Sequence, residues 1–177
     1  MKFFETNIKD AFRIEVDKFG DDRGFFGRAF CSNELKEQGI PMNVAQANIG
    51  FSKKKFTIRG LHYQLEPHAE AKLIRCTKGA LLDVAVDIRP ESPTCGNSIA
   101  IELTENEQNQ VYIPAGCAHG YQTLVDDTEI FYMVSAFYAP EFERGIRYDD
   151  PALDIPWREA GEIILSDKDR NWPDFEF

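Results

Sequence analysis

Short stretches of alternating apolar and polar residues recur along this chain about every 8–12 residues, with glycine or proline between them. A period of two marks a strand with one face turned inward. Such stretches cover Phe12–Val16, Arg23–Phe30, Asn43–Phe51, Phe56–Gln64, Ala71–Thr77, Ala80–Arg89, Ser98–Leu103, Gln110–Ile113, Ala118–Leu124 and Thr128–Tyr138. They predict an all-β sandwich or barrel. The 14 phenylalanines and 6 tyrosines agree, because aromatic side chains suit a pleated surface. One helix stands out in the first half, Asn33–Gln38, with Ser32 as its cap, Glu34 in its first turn and Gly39 past its end. The tail from Pro151 has weak periodicity and reads as irregular structure or a short helix. With 177 residues and no repeat or linker, the expectation is a single domain over 1–177.

The net charge of −10 argues against nucleic acid and anionic membranes, which are themselves polyanions. Cys31, Cys76, Cys95 and Cys117 are scattered without a C-x-x-C pair, which reads as reduced structural thiols. No apolar run approaches the ~18 residues of a membrane span, and the first residues do not resemble a signal peptide. The expected location is the cytoplasm.

Against that acidic background, Ile58–Gly79 is unusual. It holds His62 and His68 together with Arg59, Lys72, Arg75 and Lys78. So much basic chemistry in one hairpin suits an anionic ligand, and His62 is the candidate base. His68, beside Pro67, reads as an exposed loop residue, and Lys53–Lys55 as a solvated turn. Arg59 and His62 have opposite parity. They can share a site only if the strand bulges, and Gly60 is the place for it. Tyr132 and Tyr138 have equal parity, so one strand could turn both to one pocket. Asp83 and Asp87 sit among small apolar residues in Ala80–Arg89, which suggests a polar interior; Asp83 could brace a pocket histidine or form a buried ion pair.

Two segments resemble cupin motifs. VYIPAGCAHGY carries P-x-G-x-x-H at Pro114, Gly116 and His119, and RGLHYQ carries H-x-Q where metal-binding cupins have H-x-H. A narrower resemblance rests on GDDRGFF (20–26), QAN (46–48), RGLHYQ (59–64), AKLIRC (71–76), DVAVDIRPESPTCG (83–96), IPAGCAHGY (113–121), EIFYMVSAFYAP (129–140), DDPALDIPW (149–157) and LSDKD (165–169). In this order they resemble the dTDP-4-dehydrorhamnose 3,5-epimerase family over nearly the whole chain. The resemblance implies a cupin-type jelly-roll barrel with a few short helices. It also implies a nucleotide-diphosphate sugar as substrate, no metal and no cofactor. The expected assembly is a homodimer whose N-terminal strands, with Arg23, reach the neighbouring site. It assigns His62 as base, Asp169 as its orienting carboxylate, Tyr132 as acid and Lys72 as the support of the enolate oxygen. Arg23, Arg59 and Lys168 would serve the nucleotide and diphosphate, and Gln46, Asn48, His119, Tyr138 and Glu143 would complete the pocket. Gly27 and Arg28 stand where well-known members carry a glutamate, and the GFSKKKF turn is one residue longer. Both departures bear on which sugar and base are preferred.

The chemistry is consistent with these residue types. Epimerising a carbon beside a ketone needs a base, an electrophile for the enolate, and an acid on the other face. A histidine, with an ordinary pKa near ~6.5, is a suitable base, and a carboxylate behind it fixes the tautomer. Two readings compete: a metal-dependent cupin using His62, Gln64, His68 and His119, and a non-catalytic sugar-binding cupin. Within the family, inversion at C3 or C5 alone, a CDP-sugar substrate and a ketoisomerase stay open.

Overall fold

The structure is a computed structural model and describes residues 1–158 and 161–176. Its elements in chain order are β1 (Lys2–Glu5), β2 (Phe12–Glu15), β3 (Lys18–Asp21), β4 (Gly24–Gly27), α1 (Ser32–Glu37), β5 (Gln46–Ser52), β6 (Ile58–Gln64) and β7 (Lys72–Lys78). They continue as β8 (Ala80–Asp87), β9 (Ser98–Thr104), β10 (Gln110–Ile113), β11 (Cys117–Thr123), β12 (Thr128–Val134), β13 (Glu143–Gly145) and α2 (Asp167–Arg170). Two antiparallel sheets face each other as a jelly roll: β1-β2-β10-β7-β12-β5 and β13-β6-β11-β8-β9. The hairpin β3-β4 forms a separate two-stranded ribbon. No helix among the described residues is long and apolar enough to cross a membrane.

Strand alternation sets the layers. Ile74, Leu81, Ala85, Val111 and Ile130 meet between the sheets. Leu82, Val84 and Val86 point the other way, under the chain that follows β13, where Leu153, Ile155 and Trp157 cover them. Both faces of β8 are therefore buried, which explains its nearly continuous apolar composition. On the outside of the larger sheet, Leu35 of α1 packs with Ile14, Leu73 and Tyr112. Truncating a fully buried leucine such as Leu81 to alanine would cost about 2–5 kcal/mol.

Several expected boundaries move. The strand read as Arg23–Phe30 is only Gly24–Gly27, because it pairs with β3 alone and nothing extends that ladder. The strand read from Asn43 begins at Gln46, and the one read to Tyr138 stops at Val134. Ser32 does not cap α1. Cys31 takes the extended N-cap backbone with no side-chain bond, and Ser32 is the first helical residue. Gly39 does close the helix, at φ +74, with Ile40 N–H donating to the Leu35 carbonyl. His68 is half-buried rather than exposed, with its ring 4.5 Å from that of Phe142.

Beyond β8 a buried carboxylate staples a turn. Asp87 accepts from Arg89 Nε at 2.8 Å, Ser92 Oγ at 2.6 Å and Thr94 Oγ1 at 2.7 Å. Burial pushes its carboxyl up, but these donors outweigh burial and hold it at about 2.

Candidate active site

The site begins with a bulge in β6. Opposite it, Tyr121 pairs with Arg59 and His119 pairs with His62, so two residues, Gly60 and Leu61, face the single Gly120. The extra residue turns Arg59 and His62 to the same side while Leu61 packs outward. Gly60 has φ +116, and a Cβ there would lie 2.6 Å from the His119 carbonyl oxygen. Only glycine fits this crossing.

His62 Nε2 lies 2.6 Å from Asp169 Oδ1. The carboxylate comes from α2, where Ser166 Oγ accepts the Asp169 N–H at 3.0 Å and fixes the short turn. Burial works against the Asp169 charge, but the His62 hydrogen bond and charge and the Gly60 N–H hold its pKa below the ordinary range. A second pair lies deeper. His119 Nε2 is 2.9 Å from Asp83 Oδ2. Burial pushes the Asp83 carboxyl up, opposed by His119 and Lys72. The polar interior read from β8 is thus present, and Asp83 braces a pocket histidine.

The facing wall comes from the other sheet. Tyr132 on β12 packs on the inter-sheet core and reaches the cleft. Burial, and then the Glu70 carboxylate, raise its phenol above the ordinary value, so it stays protonated. Lys72 on β7 is buried and pairs with Glu70 at 3.3 Å. Arg59 stands at the mouth, donating to Ser52 Oγ at 3.2 Å and to the Phe51 carbonyl at 3.1 Å. At the rim Glu143 accepts from Tyr138 at 2.8 Å and from Lys168 at 2.6 Å, and these bonds offset its burial and lower its pKa. The cleft between these walls measures about 350 Å³. A larger hollow of about 440 Å³ beside Ile40 and Tyr112 gathers no histidine, lysine or arginine.

Most of the predicted site residues meet here: Arg59, His62, Lys72, His119, Tyr132, Tyr138, Glu143 and Asp169. Tyr138 arrives for a different reason than parity. It lies beyond the end of β12, and its N–H is held by Gln46 Oε1 at 2.7 Å. Gln46, Asn48 and Lys168 border the cleft without lining it; Asn48 is opposite Tyr132 in the ladder. Arg23 is away from it, 90% exposed on the β3-β4 ribbon and paired with Asp21. Glu70 and Tyr121 line the cleft and were not foreseen. Tyr121 stands two residues from His119 on β11, so strand parity carried its signal, whereas Glu70 lies in the loop before β7, where parity does not apply.

Of the four residues weighed as metal ligands, His62 and His119 share the cleft, while Gln64 and His68 do not line it. The Gln64 amide is spent on neighbouring loops, donating to the His68 and Phe137 carbonyls and accepting the Ala139 N–H at 2.7 Å. Among the described residues no three His, Cys, Asp or Glu side chains are placed to share an ion.

A family model described as dTDP-4-dehydrorhamnose 3,5-epimerase matches residues 5–176. The chain belongs to the dTDP-4-dehydrorhamnose 3,5-epimerase family. It is similar to the dTDP-4-dehydrorhamnose 3,5-epimerase of Sinorhizobium fredii (strain NBRC 101917 / NGR234), 43% identical over 98% of this chain and 89% of that one. Among solved members of the family, the Bacillus anthracis enzyme with TDP and PPi bound superposes with a TM-score of 0.94 at 40% identity, covering 98% of this chain and 99% of that one. The Legionella pneumophila dTDP-6-deoxy-D-glucose-3,5-epimerase, in complex with dTDP-4-keto-L-rhamnose, gives 0.92 at 36% identity, covering 98% and 92%.

Proposed function

We propose that this chain is a dTDP-4-dehydrorhamnose 3,5-epimerase that inverts C3 and C5 of dTDP-4-dehydro-6-deoxy-D-glucose, working as one domain. The observation that carries the mechanism is the placement of His62 and Tyr132 on opposite sheets across one cleft. Inversion requires a proton to leave one face of a carbon and arrive on the other.

His62 takes the proton from the carbon beside the ketone. The C–H electrons move into the ring and onto the carbonyl oxygen, giving an enolate. Lys72 meets that negative charge in a partly enclosed cleft, where electrostatics are stronger than in water. Tyr132 then delivers its proton from the opposite side; it regains one from solvent and His62 releases one to solvent, which resets both groups for the second carbon. Asp169 holds the His62 ring and stabilises the imidazolium. His119, steadied by Asp83, adds a donor near the sugar. Arg59 and Lys168 supply positive charge for the diphosphate. Gln46 serves through the Tyr138 backbone, and Asn48 borders the same wall.

Arg23 belongs, in this reading, to a second copy's site. Phe19, Phe25 and Phe26 on the same ribbon are 72%, 54% and 69% exposed. Three large apolar rings beside a guanidinium suit a homodimer in which the ribbon covers the neighbouring cleft.

The test is NMR of dTDP-4-dehydro-6-deoxy-D-glucose incubated with the protein in heavy water. Deuterium should enter at C3 and C5 as the epimer forms, and H62A should abolish both. Label at one carbon would narrow the reading to a monoepimerase. No label with folded protein would overturn it.

A further inference from the structure

Behind the proposed base stands a residue that the mechanism above does not use. Gly145 pairs directly opposite His62 in the β13-β6 ladder. A Cβ at Gly145 would lie 2.3–2.4 Å from the Trp172 indole, so the ring rests on bare backbone. The same indole meets the His62 ring in a T-shaped contact, with centroids 6.2 Å apart and planes at 70°. Trp172 follows Asp169 by three residues, so one short turn delivers both the carboxylate on His62 and the ring beside it. Lys168, from the same turn, lies 5.5 Å from the indole centroid.

The indole N–H is buried and finds no acceptor among the described residues. A buried donor without a partner is destabilising, so stability alone would favour an aromatic ring without it. What the indole does achieve is reach, from the gap at Gly145 to the imidazole.

We infer that Trp172 is a positioning residue for His62: seated on Gly145, it fixes the imidazole plane so that Nε2 stays on Asp169. This rests on the reading of His62 as the base. Without the indole, the imidazole gains room to turn, and a base displaced by about 1 Å can lose about 10²-fold in rate.

The experiment compares W172L, W172F and G145A with the parent and with H62A, measuring kcat, KM and deuterium exchange. W172L should lower kcat and exchange about 10- to 100-fold, with KM changed by less than about twofold. W172F, which keeps a ring at the contact, should fall between. G145A leaves tryptophan in place but displaces it; it should lower kcat in the parent and have no further effect in W172L. Fluorotryptophan labelling gives two fluorine resonances, since the chain has two tryptophans. The one lost in W172F should move when His62 becomes glutamine, and the Trp157 resonance should not. Parental kcat in W172L and G145A with an inactive H62A would overturn this inference alone, as would a loss confined to KM. An active H62A would instead overturn the base assignment. If W172L does not fold, W172F and G145A decide.

Discussion

Removing one oxygen from Tyr132 should separate the two halves of the reaction. Y132F keeps the ring that packs between the sheets, so stability should change by no more than about 1–2 kcal/mol. The enolate still forms and His62 can return its proton, so solvent label should continue to wash into the starting sugar. Epimer formation should drop by about 10²–10⁴-fold; parental inversion would make Tyr132 a packing residue and turn attention to Tyr138. Asp87 gives a different prediction. Its folded pKa of about 2 lies below the ordinary 3.8, so its stabilisation is full above about pH 4 and disappears as pH falls towards 2. About 2 kcal/mol should be lost in that window. Urea midpoints measured across it should show the slope in the parent and a much flatter line in D87N. At this scale the sequence was informative where chemistry is local. His62 among cations, and Asp83 among small apolar residues, could be read from their neighbours. The His62–Asp169 bond joins residues 107 apart, and no local pattern links them; only family likeness pointed to it.

The bulge at Gly60 is the element on which the site depends. G60A would place a methyl against the β11 backbone at a positive φ. Strain and overpacking together should cost on the order of 3 kcal/mol or more. What survives should show Arg59 and His62 no longer sharing a face. Chemical denaturation with an activity assay on the remaining folded fraction would check both; a stable, fully active G60A would remove the bulge from its role. This feature was legible because two required residues had the wrong parity with a glycine between them. The ends of β12 and β4 were not legible. Both were read as longer because aromatic alternation continues past the last paired residue, and pairing depends on where the neighbouring strand stops. The helix cap failed for a related reason: serine is a good cap, but the chain reaches the helix one residue earlier, at Cys31.

At the scale of the whole molecule, the spacing of short strands was enough to predict an all-β sandwich or barrel, and the family resemblance narrowed it to a jelly roll, while what covers the outer faces of the sheets was not legible. The chain after β13 was read as irregular although Leu153, Ile155 and Trp157 alternate and all meet the sheet, because the run is short and interrupted by Pro151 and Pro156 and pairs with no strand. The exposed phenylalanines of the β3-β4 ribbon lead to a prediction about assembly. Changing Phe19, Phe25 and Phe26 to serine should weaken self-association in sedimentation, and R23A should raise KM; a fully active parental monomer would contradict the dimer. Chelation should leave activity unchanged, since Lys72 carries the enolate charge in this mechanism; loss with EDTA that a divalent metal reverses would contradict it. The position of Asp169 also has a consequence for synthesis. The last paired strand ends at Gly145, and the partner of His62 is added twenty-four residues later, on a turn outside both sheets. A nascent chain can therefore hold every strand of the barrel while its base still lacks a carboxylate. A product shortened before that turn would keep the strands but lose the Asp169 carboxylate on its base, together with the Trp172 and Phe175 side chains that pack against the sheet, so its site would be silent.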